Sequence, residues 1–166
     1  MTGKTHAICG AITMGCITVA RFKGLELGGY TYLPAIGLLS CSAGSYFPDI
    51  DLHSSKMGRK HKFISKMFTH RGFTHTLVFP AIIFLAMTYI AYKGIPFLPD
   101  LILGFLVGYL AHIGADLFNK KGVPLLWPIV RKRIHIATFL TSSWQEYVFI
   151  PLWLVLNVAA VWFILK

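Results

Sequence analysis

Apolar residues dominate five separate segments of the chain, and this pattern predicts five helices that cross a membrane. The segments cover residues 7–21, 32–47, 74–92, 97–117 and 145–165. A spanning helix needs about 20 apolar residues, or somewhat fewer when other helices shelter it. The second segment contains Pro34 and several serines, so we expect it inside the bundle, where neighbouring helices satisfy its polar groups. The sequence therefore predicts an all-α, polytopic membrane helical bundle that forms a single domain over residues 1–166.

The composition favours the bilayer as the solvent for this bundle. Hydrophobic residues make up 55% of the chain and charged residues only 13%, which is unusually apolar for a soluble protein. A formal net charge of +10 would suggest nucleic-acid binding in a soluble protein. Here the distribution of that charge indicates membrane topology instead, and we expect no specific nucleic-acid partner.

Basic residues gather in two loops, between predicted helices two and three and between helices four and five. They are Lys56, Arg59, Lys60, Lys62, Lys66, Arg71, Lys120, Lys121, Arg131, Lys132 and Arg133. Because Lys and Arg accumulate on the cytoplasmic side, we expect the N-terminus inside and the C-terminus outside. Residues 52–68 and 123–140 also mix basic with apolar residues, a pattern typical of amphipathic segments at an anionic membrane surface. Anionic lipid headgroups are therefore expected partners.

This topology places all seven histidines and most of the acids on the cytoplasmic side. The acids are Asp49, Asp51, Asp116 and Glu146. Ionisable groups in or beside spanning segments are costly and usually face a partner or a cavity. The one-sided distribution thus predicts a functional site at the cytoplasmic ends of the helices.

Predicted helix four has the clearest local pattern, because Gly104, Gly108, His112 and Asp116 recur every four residues and share one face. Small residues at that spacing permit close helix contact. An imidazole and a carboxylate at positions i and i+4 suit two ligands of one metal. The alternative is a hydrogen-bonded interior histidine followed by a solvated helix end. A carboxylate at a helix C-terminus also faces the negative end of the helix dipole, and so needs a cation.

Two more imidazoles flank the start of predicted helix three. Gly72 interrupts the helical geometry, so His70 can reach inward from the loop while His75 points inward from the first turn. Both could instead be polar residues at the membrane interface. Arg71, between them, is suited to hold a phosphate or another anion bidentately.

Glu146 fits a structural role as well as a chemical one. Ser143-x-x-Glu146 has the spacing of a capping box, in which the two side chains satisfy exposed amides at a helix start. The alternative is a metal ligand or a base. The remaining histidines, His53, His61 and His135, lie among basic surface residues, and we expect them to be solvated or to face headgroups.

Four sequence blocks carry a family resemblance: PDID at residues 48–51, HRGFTH at 70–75, GYLAHIGAD at 108–116 and GVPLLWP at 122–128. Through them the sequence resembles, over nearly its whole length, the YdjM-type family of bacterial inner-membrane, metal-dependent hydrolases, which is described as regulated by the damage-response repressor LexA. His6 and Glu146 match an early histidine and a glutamate before the last helix in that family. A more distant similarity is to zinc-dependent phospholipase C, which includes a His-x-x-x-acid helix pair.

The resemblance implies a hydrolase of the bacterial inner membrane, acting at its cytoplasmic surface on a lipid or another amphiphilic phosphoester. We expect one or two divalent metal ions, zinc first, with Mn, Fe and Mg as alternatives. The expected ligands are His6, Asp49, Asp51, His70, His75, His112 and Asp116. The expected catalytic residues are Asp51, Arg71 and Glu146.

Two alternatives stay open at the level of the sequence. A metal or proton transporter also uses buried His and Asp, although the outer halves of these segments contain almost no ionisable residue. The second alternative is a non-enzymatic membrane scaffold, in which a bound metal ion holds the helix ends together. Intramembrane proteolysis would lead us to expect a His-Glu-x-x-His motif, which the sequence lacks.

Overall fold

The computed structural model describes residues 1–22, 33–52, 59, 72–92 and 98–166. Most of this part of the chain is helical, in five α-helices: α1 (Gly3–Phe22), α2 (Pro34–Tyr46), α3 (Val78–Ala91), α4 (Leu98–Leu117) and α5 (Trp144–Ile164). Two 3-10 turns, Phe47–Asp51 and Phe73–His75, follow α2 and precede α3. These ranges contain no β-strand, and the predicted all-α bundle is confirmed.

Helix α4 lies at the centre of the bundle and packs against α1, α2 and α3. Its contact with α2 is unusually close, because a Cβ at Gly104 would overlap the carbonyl oxygen of Gly37 and one at Gly108 would overlap that of Cys41. Small residues allow such an approach of two backbones. The glycine stripe predicted on this helix is therefore a helix–helix contact, and it sets the distance between α2 and α4.

Two apolar clusters attach the other elements to α4. Cys9, Ala115 and Phe149 form one cluster, which joins α1, α4 and α5. Tyr109 and Ile113 belong to the second, where they pack with aromatic residues of α3 and of the turn after α2. Part of the side of α4 that does not contact α2 is thus also buried, whereas Leu110 is 48% exposed.

Helix α5 faces outward over most of its length. Glu146 and Phe149 are its buried residues, whereas Trp162 is 63% exposed and Phe163 77% exposed. A helix that exposes large apolar side chains over most of its length is suited to lipid rather than to water. This is a membrane protein, as the composition predicted.

By length and hydropathy, three helices of the described chain can cross a membrane: α1, α4 and α5. Helix α3 is apolar but has 14 residues, which rise only about 21 Å against a hydrocarbon core of about 30 Å. Helix α2 has 13 residues. The prediction of five helical segments is confirmed, while five complete spans and their orientation stay predictions.

The loop between α4 and α5 folds back over the end of α4. Val123 and Ile134 exchange backbone hydrogen bonds of 3.0 and 2.9 Å. On its outer side Ile129 is 90% exposed, beside the exposed basic residues 131–133. Adjacent apolar and basic side chains agree with the predicted surface segment, whereas the other predicted segment, residues 52–68, falls almost entirely outside the described residues.

Candidate metal centre

Six of the predicted metal ligands meet at one end of the bundle. This end is formed by the start of α1, the turn after α2, the turn before α3 and the end of α4. The six residues are all buried: His6, Asp49, Asp51, His75, His112 and Asp116. The seventh predicted ligand, His70, and the predicted anion-binding Arg71 lie outside the described residues, as do His53 and His61.

Asp116 is the common neighbour of the three histidines. Its Oδ1 lies 3.5 Å from His6 Nε2, and its Oδ2 lies 3.7 Å from His75 Nε2 and 3.9 Å from His112 Nε2. The amino group of Met1 also lies 3.1 Å from Oδ1. Tetrahedral zinc, with bonds of about 2.0–2.2 Å, holds its ligand atoms roughly 3.3–3.5 Å apart. The distances from Asp116 to the three histidines are thus close to those between the ligands of one zinc ion.

The hydrogen bond of His112 fixes which of its nitrogens is available to a metal. His112 Nδ1 lies 2.7 Å from the carbonyl oxygen of Ser45. Because a carbonyl only accepts, Nδ1 bears the proton and donates it. His112 Nε2 is buried without a hydrogen-bond partner among the described residues. It faces Asp49 Oδ1 at 3.8 Å and Asp116 Oδ2 at 3.9 Å.

A lone pair that faces two carboxylates is repelled by both unless the nitrogen is protonated or a metal cation lies between them. Metal-bound histidines almost always donate their other ring N–H to a carbonyl or a carboxylate. His112 has this arrangement, with the Ser45 carbonyl as the acceptor. The environment of its Nε2 therefore suits a divalent cation.

His75 is oriented by its own chain neighbour and by Asp51. The hydroxyl of Thr74 donates to Asp51 Oδ2 at 2.6 Å and lies 3.1 Å from His75 Nδ1, while Asp51 Oδ2 lies 3.5 Å from the same nitrogen. Tyr109 adds a hydrogen bond from its hydroxyl to the carbonyl oxygen of Thr74. These contacts hold the ring of His75 with its Nε2 directed towards Asp116. Asp51 thus lies behind His75, where it orients the imidazole.

The rings of His6 and His112 stack, with centroids 3.6 Å apart and planes inclined by 16°. Two imidazolium cations in such contact would repel each other, so at least one ring is neutral and can serve as a ligand. His6 Nδ1 is buried without a hydrogen-bond partner in the described part of the chain. The stack brings α1 and α4 together at the same point as Asp116.

In the described part of the chain, two sets of residues have ligand atoms close enough to hold an ion: His6, His112 and Asp116, and Asp49, His75 and His112. The atoms of each set lie within 4.8 Å of one another. Both sets need His112, which offers only Nε2 because Nδ1 is bound to Ser45. The two sets therefore cannot be complete at once. Asp116 Oδ1 lies on the side of His6 and Oδ2 on the side of His75 and His112, so these residues would hold one divalent ion or two.

Glu146 lies apart from both sets and binds the start of α1. Its carboxylate accepts hydrogen bonds from Thr2 N–H at 3.0 Å, Thr5 Oγ1 at 2.7 Å and Ser142 N–H at 3.0 Å. The predicted capping box is wrong: Ser143 is the N-cap residue of α5 but makes no side-chain cap bond. Thr2 and Thr5, next to and inside the first turn of α1, hold the glutamate together with the backbone N–H of Ser142 instead. By fixing the start of α1, Glu146 positions His6.

Sequence reasoning missed three residues that support the ligands: Ser45, Thr74 and Tyr109. Ser45 acts through its backbone carbonyl, which leaves no signal in a sequence. Tyr109 lies three residues before His112 on α4, so its spacing was a usable signal for the same helix face. His135, which the sequence placed at the surface, is exposed.

Comparison with known proteins assigns the chain to a family. The family model for the YdjM inner membrane protein matches residues 1–165 of the chain. The chain belongs to the YdjM inner membrane protein family. The predicted family is thereby confirmed, and its name agrees with a location in the membrane; hydrolase activity and regulation by LexA stay predictions.

Curated relatives support the same assignment. The chain is 40% identical over 142 residues to "Inner membrane protein YdjM" of Escherichia coli (strain K12), a match that covers 77% of this chain and 66% of that protein. It is 35% identical over 152 residues to "Uncharacterized protein YvsG" of Bacillus subtilis (strain 168), covering 88% of this chain and 85% of that protein. The chain thus spans just under two thirds of the Escherichia coli relative. No solved structure matches significantly.

Proposed function

We propose that this protein is a membrane-bound, metal-dependent hydrolase that cleaves a phosphoester of a lipid or another amphiphile. The observation that supports this most strongly is His112, whose Nε2 faces Asp49 at 3.8 Å and Asp116 at 3.9 Å. Buried imidazole and carboxylate groups in this arrangement support a metal site, because they are the ligand types and the outer hydrogen bond that zinc sites use.

The donor set fits a divalent transition metal. Imidazole nitrogens suit zinc, iron and copper, and mixed imidazole and carboxylate sites are typical of catalytic zinc. A bound divalent ion would activate a water molecule and draw charge from the phosphoryl oxygen under attack. His112 would hold the ion together with His6 and Asp116, or together with Asp49 and His75.

The residues around the ligands have separate roles in this proposal. Asp51 and Thr74 hold the ring of His75, as outer partners of metal ligands do. Glu146 keeps the start of α1, and with it His6, at the centre. Arg71, which follows the predicted ligand His70, remains the proposed residue for holding the phosphate.

Activity against headgroup-labelled substrates tests the proposal. Zinc-loaded protein in detergent would be incubated with labelled phospholipids and polyprenyl phosphates, and released headgroup would be measured. We expect release by the wild type and by His135→Ala, an exposed histidine outside the centre, and at least about a tenfold loss in His75→Ala. Equal release by His75→Ala would contradict the proposal. Bound metal without hydrolysis of any substrate would favour the metal-stapled scaffold.

A further inference from the structure

A cavity of about 800 Å³ adjoins the metal centre, between the start of α1, the end of α2 and the start of α5. Among the six clustered ligand residues, Asp49 is the one that lines it. The side chain of Asp49 is 12% exposed, whereas that of Asp116 is 1% exposed. In the described part of the chain, Asp49 is therefore where this cavity reaches the candidate ligands.

The polar part of the cavity wall has two cationic side chains, Lys4 and Arg59, both exposed. Lys binds phosphate as a point charge, and Arg binds it bidentately. Glu146 also lines the cavity, but its carboxylate already accepts bonds from three donors of the chain. The cations are thus the groups of this wall that are suited to an anionic ligand.

The rest of the wall is apolar and extends along the two helices that flank the cavity. Ile8 of α1 and Ile150 of α5 contribute to it. They lie five and six residues beyond Gly3 and Trp144, the helix starts, which corresponds to about 8–9 Å along each axis. Ile8 is also 41% exposed. Because α1 and α5 are long and apolar enough to span a membrane, a bilayer around these helices would border this side of the cavity.

We propose that this cavity is the substrate pocket, and that it takes a lipid with an anionic phosphate headgroup. The headgroup would lie against Lys4 and Arg59, next to Asp49, while the first part of the hydrocarbon chain lies along Ile8 and Ile150. A soluble phosphate would leave the apolar wall in contact with water, and an uncharged amphiphile would leave both cations unpaired. The pocket also has a suitable size, since ligand pockets occupy about 300–1,000 Å³. This inference rests on the proposed hydrolase, because it names the substrate of that site.

Binding of a lipid that cannot be cleaved tests the pocket separately from catalysis. The probe is a radiolabelled phosphonate analogue of phosphatidylglycerol in neutral detergent, with metal content measured on the same samples. We expect Lys4→Gln and Arg59→Gln each to weaken binding about fivefold with metal content unchanged. Lys166→Gln removes the same charge beyond the far end of α5 and is expected to bind as the wild type does. Ile8→Trp, which fills the apolar part, should weaken lipid binding without changing the metal content.

The other outcomes separate the two proposals. Wild-type binding in Lys4→Gln, Arg59→Gln and Ile8→Trp overturns the pocket, even if the protein hydrolyses phospholipids. Competition by glycerol phosphate as strong as that by the lipid also overturns it, because the apolar wall would then contribute nothing. The variants could weaken lipid binding in a protein that hydrolyses no substrate. That result would support the lipid pocket and contradict the proposed hydrolase activity.

Discussion

Replacement of Gly108 by alanine tests whether the contact between α2 and α4 sets the geometry of the metal centre. A Cβ at Gly108 would overlap the carbonyl oxygen of Cys41 and lie 2.8 Å from the backbone nitrogen of Ser45. Since nonbonded heavy atoms in contact lie about 3.5–4.0 Å apart, α2 has to move away by roughly 1 Å. Ser45 also provides the carbonyl bound by His112 at 2.7 Å. That distance would increase to about 3.7 Å, beyond the range of a hydrogen bond.

We therefore expect Gly108→Ala to lower zinc affinity about 10- to 100-fold, the usual effect of losing an outer partner of a ligand. Stability should fall by about 1–3 kcal/mol, although Gly→Ala inside a helix ordinarily stabilises by about 1 kcal/mol. Gly15→Ala is the matched control, because nothing lies within 4 Å of a Cβ at that position of α1. Competition with a chromophoric chelator and thermal unfolding in detergent measure the two effects. Wild-type zinc affinity in Gly108→Ala would refute the argument.

Two further changes address the residues that support the ligands. Thr74→Val removes the hydroxyl that binds Asp51 and lies next to His75 Nδ1, so zinc affinity should fall about tenfold. Thr74→Ser keeps a hydroxyl and should bind zinc as the wild type does. Wild-type zinc affinity in Thr74→Val would show that the hydroxyl does not orient the ring. Glu146→Gln keeps the shape of the side chain but removes the charge that accepts bonds from Thr2 and other donors. We expect about 1–3 kcal/mol of lost stability in thermal unfolding, and an unchanged midpoint would be inconsistent with this role.

Helix α4 shows how much of the centre a sequence can predict. Gly104, Gly108, His112 and Asp116 are spaced four residues apart. They share one face because an α-helix has 3.6 residues per turn. Close packing of small residues then places that face inside the bundle. The distribution of basic residues predicted the topology, and this topology placed His6 at the same end of the bundle as His112 and Asp116. Element ends were less predictable: α3 begins at Val78 because the 3-10 turn Phe73–His75 comes first.

Contacts between distant parts of the chain could not be predicted in this way. Asp116 is the neighbour of His6, more than a hundred residues away, and no local pattern records that distance. The support of His112 comes from a backbone carbonyl, which any residue at position 45 would provide. Glu146 was assigned to a local capping box because Ser143 has the right spacing, but donors from α1 compete more effectively for its carboxylate.

The metal content of the purified protein tests the central claim most directly. Elemental analysis in detergent would compare the wild type with His112→Ala and Asp116→Asn, and His135→Ala would serve as the surface control. We predict at least one divalent metal ion per chain in the wild type and in His135→Ala, and its loss in the other two variants. Absence of metal from the wild type, or equal metal in all four proteins, would contradict a metal centre built on His112 and Asp116.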